Sequence, residues 1–279
     1  MTVLLPDSLD GALAQLAAEP GAHVLAGGTD FMVEVNYGHR RPETVLSLRR
    51  LDDLRTWHVD GSHVVLGSCV TYGQLLEPAL ADLLPGLAQA ARTVGSPQIR
   101  STGTIGGNVS TASPAGDTLP MLSALDADVV LASSTGVRTL PLHEFVTGPK
   151  RTARRADELL VAVRVPLATG PQEYLKVGVR NAMVIAVASV AVVVDHEGRT
   201  VRAALGSCGP VPVRCHDAEA WVAPLVDWDA RRIDDPRTHE AFGVRCAETA
   251  RPIDDHRSTA AYRSHACRVL ARRALARCL

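Results

Sequence analysis

Aromatic residues are scarce in this chain: three Phe, four Tyr and three Trp make up 4% of it, so a core has to be built from Ala, Val and Leu. Net charge is scarce too, at −1 with 29 basic and 30 acidic side chains. Dedicated nucleic-acid binders usually carry a strongly basic domain, so that class is set aside. The longest uncharged apolar run, Ala182 to Val194, is 13 residues, and a membrane helix needs about 20. The opening MTVLLPDSLD has no basic stretch followed by an apolar one, so no secretory signal is expected and the cytoplasm is the expected location. Six cysteines, at 69, 208, 215, 246, 267 and 278, are widely and irregularly spaced, with no CxxC pair, and no two His stand at i, i+4. Zinc and iron–sulfur sites favour clustered ligands, so no metal site is expected and the cysteines read as free thiols. Neither GxGxxG nor GxxxxGK[ST] occurs, which removes the usual dinucleotide fingerprint and the P-loop.

What the sequence does contain is enough apolar material for a large core. Its 279 residues are 46% hydrophobic; at roughly 150 residues per domain this predicts about two domains. High hydrophobicity with low net charge excludes intrinsic disorder.

Local patterns predict an alternation of helices and strands. Ser8 precedes Leu9, Ala12, Leu13 and Leu16, an N-cap followed by helical spacing. Short strands are predicted at 23–26, 45–48, 64–66, 129–132 and 159–165, and helices at 72–84, 85–94 and 121–125. Residues 95–116, rich in Gly, Ser and Thr, read as a long functional loop. Ala168 to Pro171 is the candidate boundary. Beyond it, apolar runs at 184–194 and 201–206, with a turn at Gly198, predict a hairpin. From Ala218 the pattern turns helical, and the last segment groups Tyr262, Ala266, Val269 and Leu270 on one face, with Arg263, Arg268, Arg272 and Arg277 elsewhere. Alternating elements argue α/β or α+β before the boundary and α+β after it.

Two glycine pairs stand out: Ala26-Gly27-Gly28-Thr29-Asp30, directly after a predicted strand, and Thr104-Ile105-Gly106-Gly107-Asn108. Glycine lets the backbone take positive φ and approach a ligand closely. Successive N–H groups in such a turn form a concavity suited to phosphate, and a following helix start adds its dipole. Each pair alone also fits an ordinary tight turn. Two of them could clasp a pyrophosphate from both sides, which favours a dinucleotide.

In AGGTDF (26–31), IRSTGTIGGNVSTASPAGDTLPMLSALDADVVL (99–131), LPLHEFVTGPKRT (140–152), DELLVAVRVP (157–166), YLKVGVRNAMVIAVASVAV (174–192), ALGSCGPVPVR (204–214) and DDHRSTAAYRSHACRVLARRAL (254–275), the chain resembles the flavin-binding medium subunit of the molybdenum hydroxylases, the carbon monoxide dehydrogenase and xanthine dehydrogenase type. The resemblance implies an α+β protein. Residues 1–167 would form a two-lobed α/β FAD-binding domain of the vanillyl-alcohol oxidase (PCMH) type, with lobes at about 1–55 and 56–167. Residues 171–279 would form a smaller α+β domain of the carbon monoxide dehydrogenase flavoprotein C-terminal type. It implies FAD as cofactor, its pyrophosphate cradled by Ala26 to Asp30 and Thr104 to Asn108. Leu25 and Phe31 would flank the first loop, and Ile99, Gly103 and Thr111 the second. Asp117 would accept from the nucleotide half, Leu160 would lie against the flavin, and Lys176 would stand near its ring and stabilise the reduced, anionic form. The chain departs from the family pattern at Asn181, where Arg is frequent, and at Val184, where Asp is frequent. No cysteine-rich insertion stands between Leu131 and Glu158, so no iron–sulfur cluster is expected in this chain.

The implied function is electron transfer. A large molybdopterin-binding subunit would oxidise the substrate, a small subunit would carry two [2Fe–2S] clusters, and electrons would leave the FAD here for NAD, a quinone or oxygen. The expected assembly is a dimer of heterotrimers. No side chain is expected to act as a catalytic acid, base or nucleophile, because the flavin carries the redox chemistry. A free-standing FAD-dependent oxidoreductase and a non-catalytic scaffold that has lost the flavin remain as alternatives.

Overall fold

The computed structural model describes residues 1–279. The first lobe consists of β1 (Thr2–Leu4), α1 (Leu9–Ala18), β2 (His23–Leu25), α2 (Phe31–Asn36) and β3 (Thr44–Ser47). Its three strands are parallel in the order β1-β3-β2. Ser8 caps α1 by accepting from the Gly11 N–H at 3.2 Å, and α1 buries Ala12, Leu13 and Leu16. The strands all point their carboxyl ends the same way, so the loops that follow them gather on one edge. In open parallel sheets that edge is where ligands bind.

The second lobe follows as β4 (Trp57–Asp60), β5 (His63–Gly67), α3 (Pro78–Ala81), α4 (Pro85–Arg92), α5 (Pro97–Thr102), α6 (Ile105–Thr111), α7 (Thr118–Ala124), β6 (Asp128–Ser133), β7 (Gly136–Pro141), α8 (Leu142–Phe145), β8 (Val146–Gly148), β9 (Arg151–Thr152) and β10 (Leu159–Pro166). A five-stranded antiparallel sheet runs β4-β5-β10-β6-β7, and β8 pairs with β9 separately. The chain then builds β11 (Gln172–Val177), β12 (Ala188–Asp195), β13 (Thr200–Gly206), β14 (Val213–Arg214), α9 (His216–Val222), α10 (Pro236–Thr249) and α11 (Ala260–Cys278). The four strands form one antiparallel sheet in sequence order.

The near-continuous apolar run in β12 has a direct packing cause: both faces of its sheet are covered. Ala191 and Val193 join the second lobe's core with Leu87, Met121 and Leu122. Val190, Val192 and Val194 face the other way, toward Phe242 and Leu270 of α10 and α11. A sheet buried on both sides loses the apolar–polar alternation of a half-exposed one.

Several expectations are corrected. Residues 95–116 are not one loop but contain α5 and α6, each started by a hydroxyl cap: Ser96 accepts from Ile99 N–H and Thr104 from Gly107 N–H. The helix expected at 72–84 is a short 3-10 turn at Gln74–Leu76 followed by α3, because Pro78 starts a new helix rather than continuing one. The strand expected from Val184 starts only at Ala188. Before it Met183 sits at φ 50°, and the Arg180 guanidinium donates to the Met183 carbonyl. On α11 the two faces also differ from expectation. Tyr262 is exposed, whereas Arg263 is buried with Ala266, Cys267, Leu270 and Ala274. Burial of Arg263 is tolerated because its guanidinium donates to the Val187 and Ser207 carbonyls at 2.8 and 3.0 Å and to Asp255 at 2.6 Å.

Candidate cofactor site

The first glycine loop leaves β2 at Leu25 and turns into α2 at Phe31. Gly28 has φ +74°, a conformation that costs an L side chain roughly 1–2 kcal/mol. Gly27 packs its backbone against the second lobe, where a Cβ would overlap the Thr102 carbonyl oxygen and approach Gly103. The two glycines therefore do separate work, one turning the chain and the other letting two loops touch. Within the protein, the N–H groups of Gly27, Gly28, Thr29 and Asp30 donate to no backbone or side-chain acceptor. Four consecutive free donors at the carboxyl edge of a parallel sheet form an anion-binding concavity.

The second loop is built differently. Ile105 N–H donates to the Val70 carbonyl and Gly106 N–H to the Ser68 carbonyl, each at 2.9 Å; Asn108 N–H donates to the Thr104 carbonyl at 3.0 Å. Gly107 N–H donates to Thr104 Oγ1 at 3.0 Å. A Cβ on Gly106 would lie 2.5 Å from the Ser68 carbonyl oxygen, inside the lobe rather than in open space. The expectation that both glycine pairs present free amides is thus corrected: Ser68 and Val70, on the segment after β5, take up those of Ile105 and Gly106. What this loop leaves free is the Thr104 N–H and the Nδ2 group of Asn108, whose Oδ1 accepts from Thr118 Oγ1 at 2.6 Å. Ile99 is half-exposed, and Gly103 packs on the Tyr72 ring, where a Cβ would sit 2.8 Å from a ring carbon. Thr111 is half-buried at the end of α6.

Between the lobes lies a cleft of about 520 Å³, within the size range of small-molecule sites. Leu25, Ala26, Gly27 and Phe31 line it from the first loop, and Thr104 from the second. Phe31 is braced from behind by the Arg40 guanidinium, 5.3 Å from its ring centre. Arg40 is itself held by Glu34 at 2.7 Å and by His23 Nδ1 at 3.1 Å. Burial, with the neighbouring Arg40 charge, lowers the His23 pKa and keeps the imidazole a neutral acceptor. Glu34 also meets Lys150 Nζ at 2.5 Å, a link from α2 to the β8–β9 hairpin of the other lobe.

Asp117 and Lys176 are brought together by a salt bridge, neither of them lining this cleft. Lys176 Nζ lies 2.7 Å from Asp117 Oδ2 and donates to the Thr93 carbonyl at 3.2 Å; the Tyr174 hydroxyl donates to Asp117 Oδ1 at 3.0 Å. The cluster joins the start of α7 and the end of α4 to β11. Burial pushes the Asp117 carboxyl above its ordinary range, against the pull of the Lys176 ammonium and the Tyr174 hydroxyl. Leu160 is buried in β10 within the second lobe's core. Asn181 and Val184 lie on the segment between β11 and β12, Asn181 exposed and Val184 half-buried. Among the cleft residues that escaped the sequence reading, two carry charged side chains, Arg49 and Arg55. Their setting, SLRRLDDLR, reads as a solvated turn.

FAD fits what the residues offer: a run of unengaged amides for its pyrophosphate, and an apolar cleft with 11 hydrophobic side chains of 19 for the rest. No helix here is long and apolar enough to cross a membrane.

Comparison with known proteins agrees with this chemistry. Residues 1–168 match the family described as the FAD binding domain in molybdopterin dehydrogenase, and residues 173–278 the CO dehydrogenase flavoprotein C-terminal domain. The chain is 36% identical to the nicotinate dehydrogenase FAD-subunit of Eubacterium barkeri over 77% of its own length and 76% of the relative's. It is 30% identical to the xanthine dehydrogenase FAD-binding subunit of Escherichia coli O157:H7, covering 96% and 92%. Among solved structures, carbon monoxide dehydrogenase from Hydrogenophaga pseudoflava superposes with a TM-score of 0.88 at 29% identity, covering 100% of this chain and 98% of that one. The fold is thus the α+β architecture that the resemblance implies, and the chain belongs to the FAD-binding flavoprotein family of the molybdenum hydroxylases, as an oxidoreductase subunit whose cofactor is FAD.

Proposed function

We propose that this chain is the electron-transfer subunit of a molybdenum-containing hydroxylase, working in the cytoplasm. Electrons would arrive from the [2Fe–2S] clusters of a small partner subunit and leave for NAD, a quinone or oxygen. Substrate oxidation would belong to a molybdopterin-binding large subunit, in a dimer of heterotrimers. The observation that carries the reading is the free-amide run at Gly27–Asp30 beside the interlobe cleft, in a chain of this family. Residues 1–167 would act as the cofactor-binding unit and 171–279 as the C-terminal unit packed on it.

When bound, FAD supplies the one- and two-electron redox chemistry that no side chain here possesses. The protein binds, orients and shields. The amides of residues 27–30 would hold the pyrophosphate, with Thr104, Gly106, Gly107 and Asn108 shaping the opposite wall. Phe31, braced by Arg40, and Leu25 would exclude water on one side; Ile99, Gly103 and Thr111 flank the other loop. Asp117 would accept from the nucleotide half and Lys176 would stand near the flavin ring, while their charge pair ties β11 to the second lobe. In this reading Leu160 supports the flavin end from the β10 core.

The test is to purify the chain from its native host. The reading expects a visible flavin absorption band, release of FAD on denaturation, and two co-purifying subunits, one with molybdopterin and one with iron–sulfur absorption. A colourless chain that takes up no added FAD, or a yellow chain that turns over substrate alone, would overturn it.

A further inference from the structure

We propose that Arg49 and Arg55 are phosphate-binding residues of the cofactor cleft, which complete the charge recognition that the first glycine loop begins. This inference rests on the assignment of FAD to that cleft. Arg49 and Arg55 are the only charged side chains that line it, in walls otherwise made of residues such as Leu25, Phe31, Met32 and Leu48.

The sheet register explains why they belong beside the free amides. β2 pairs with β3 in parallel, and Leu25 stands opposite Ser47. Two residues past Leu25 is Gly27; two residues past Ser47 is Arg49. The free-donor turn and the Arg49 backbone therefore leave adjacent strands at the same level of the same edge. Arg55 is drawn in by its own contact, Nη2 donating to the Arg49 carbonyl at 3.1 Å.

Neither guanidinium is neutralised by a buried carboxylate. Arg49 has no carboxylate within 4.0 Å; Arg55, besides its bond to the Arg49 carbonyl, has one carboxylate nearby, Asp52 at 3.8 Å, whose side chain is 93% exposed. Two cations along a largely apolar cleft repel each other and gain little from the walls. A bound pyrophosphate reverses that balance, because a doubly charged anion attracts both and apolar walls weaken solvent screening. Guanidinium forks also match phosphate oxygens in geometry. The amides alone supply partial positive charge; the arginines would supply the full charges that distinguish FAD from a flavin lacking phosphate.

The experiment is a binding titration of the full chain after flavin removal, followed by fluorescence quenching of added FAD or riboflavin. Arg49→Ala and Arg55→Ala should each weaken FAD binding by about 10- to 100-fold, the range of a hydrogen bond to a charged group. Riboflavin binding should stay unchanged, and the salt dependence of FAD binding should flatten. Arg50→Ala, next door and outside the cleft lining, should bind FAD as the unaltered chain does. Melting temperatures of the flavin-free variants should match the parent; Arg49→Gln and Arg55→Gln serve if an Ala variant folds poorly. Unchanged FAD affinity in both variants, or an equal loss for riboflavin, would overturn the proposal while leaving the FAD assignment standing. If the unaltered chain binds no FAD, the assignment itself falls, and this inference with it.

Discussion

The turn at Gly27-Gly28 keeps four backbone donors unengaged, whereas the helix start at Gly106-Gly107 gives its donors to Val70, Ser68 and Thr104. Both are glycine pairs next to a threonine, and both border the cleft region. The first keeps unengaged backbone donors at the edge of the cleft, where Gly27 lines it. The second lets α6 lie flat on the segment after β5, and it reaches the cleft through Thr104. A glycine pair therefore has two readings that only tertiary partners separate: a site for a phosphate, or a site where one backbone must pass close to another.

The strongest way to probe the internally engaged class lies outside both loops, at the buried pair. Lys176→Met leaves the Asp117 carboxylate buried with hydroxyl partners but no cation, and should cost about 3–5 kcal/mol of stability by urea unfolding. Next comes Gly106→Ala, whose methyl would press on the Ser68 backbone. It should lower the stability of the flavin-free chain by about 1–3 kcal/mol, with weaker flavin retention only as a consequence. Gly28→Ala should do the reverse in emphasis. Its positive φ costs roughly 1–2 kcal/mol, and the displaced turn should release FAD faster at a temperature where the chain stays folded. If Gly106→Ala leaves the flavin-free melting point untouched and expels FAD, the contrast between the loops is broken.

The smallest effect concerns pH. Asp255 is held down to about 2, first by the backbone N–H of Arg257 and further by Arg263 and Ser258. A carboxylate with a depressed folded pKa adds stability above its unfolded value near 3.8, and loses it as pH falls toward 2. Melting temperature should therefore drop across that window, and Asp255→Asn should flatten the drop. A variant as acid-sensitive as the parent would remove Asp255 from the group of engaged acceptors.

Much of this was legible in the residues. Ser8 with its helical spacing announced α1, and the apolar runs at 184–194 and 201–206 with their turn at Gly198 announced the β12–β13 hairpin, whose cover on both faces only the packing shows. The residues between 95 and 116 were not legible as helices, because the caps Ser96 and Thr104 sit among other hydroxyl residues and α5 and α6 are short. Nor could Arg263 be placed on the buried face of α11, since its partners are carbonyls of distant residues, Val187 and Ser207. For the site, the glycine loops were visible and their difference was not: whether an amide is free depends on Ser68 and Val70, far upstream of Gly106. Arg49 and Arg55 gained meaning only from the parallel pairing of β2 with β3.

Amide hydrogen exchange of the full chain, with and without FAD, tests the central claim most directly. Gly27 to Asp30 should exchange fast in the flavin-free chain and become strongly protected on adding FAD, while Ile105 to Asn108 should be protected in both. New protection confined to residues 105–108, with 27–30 exchanging freely in the presence of bound FAD, would contradict the account.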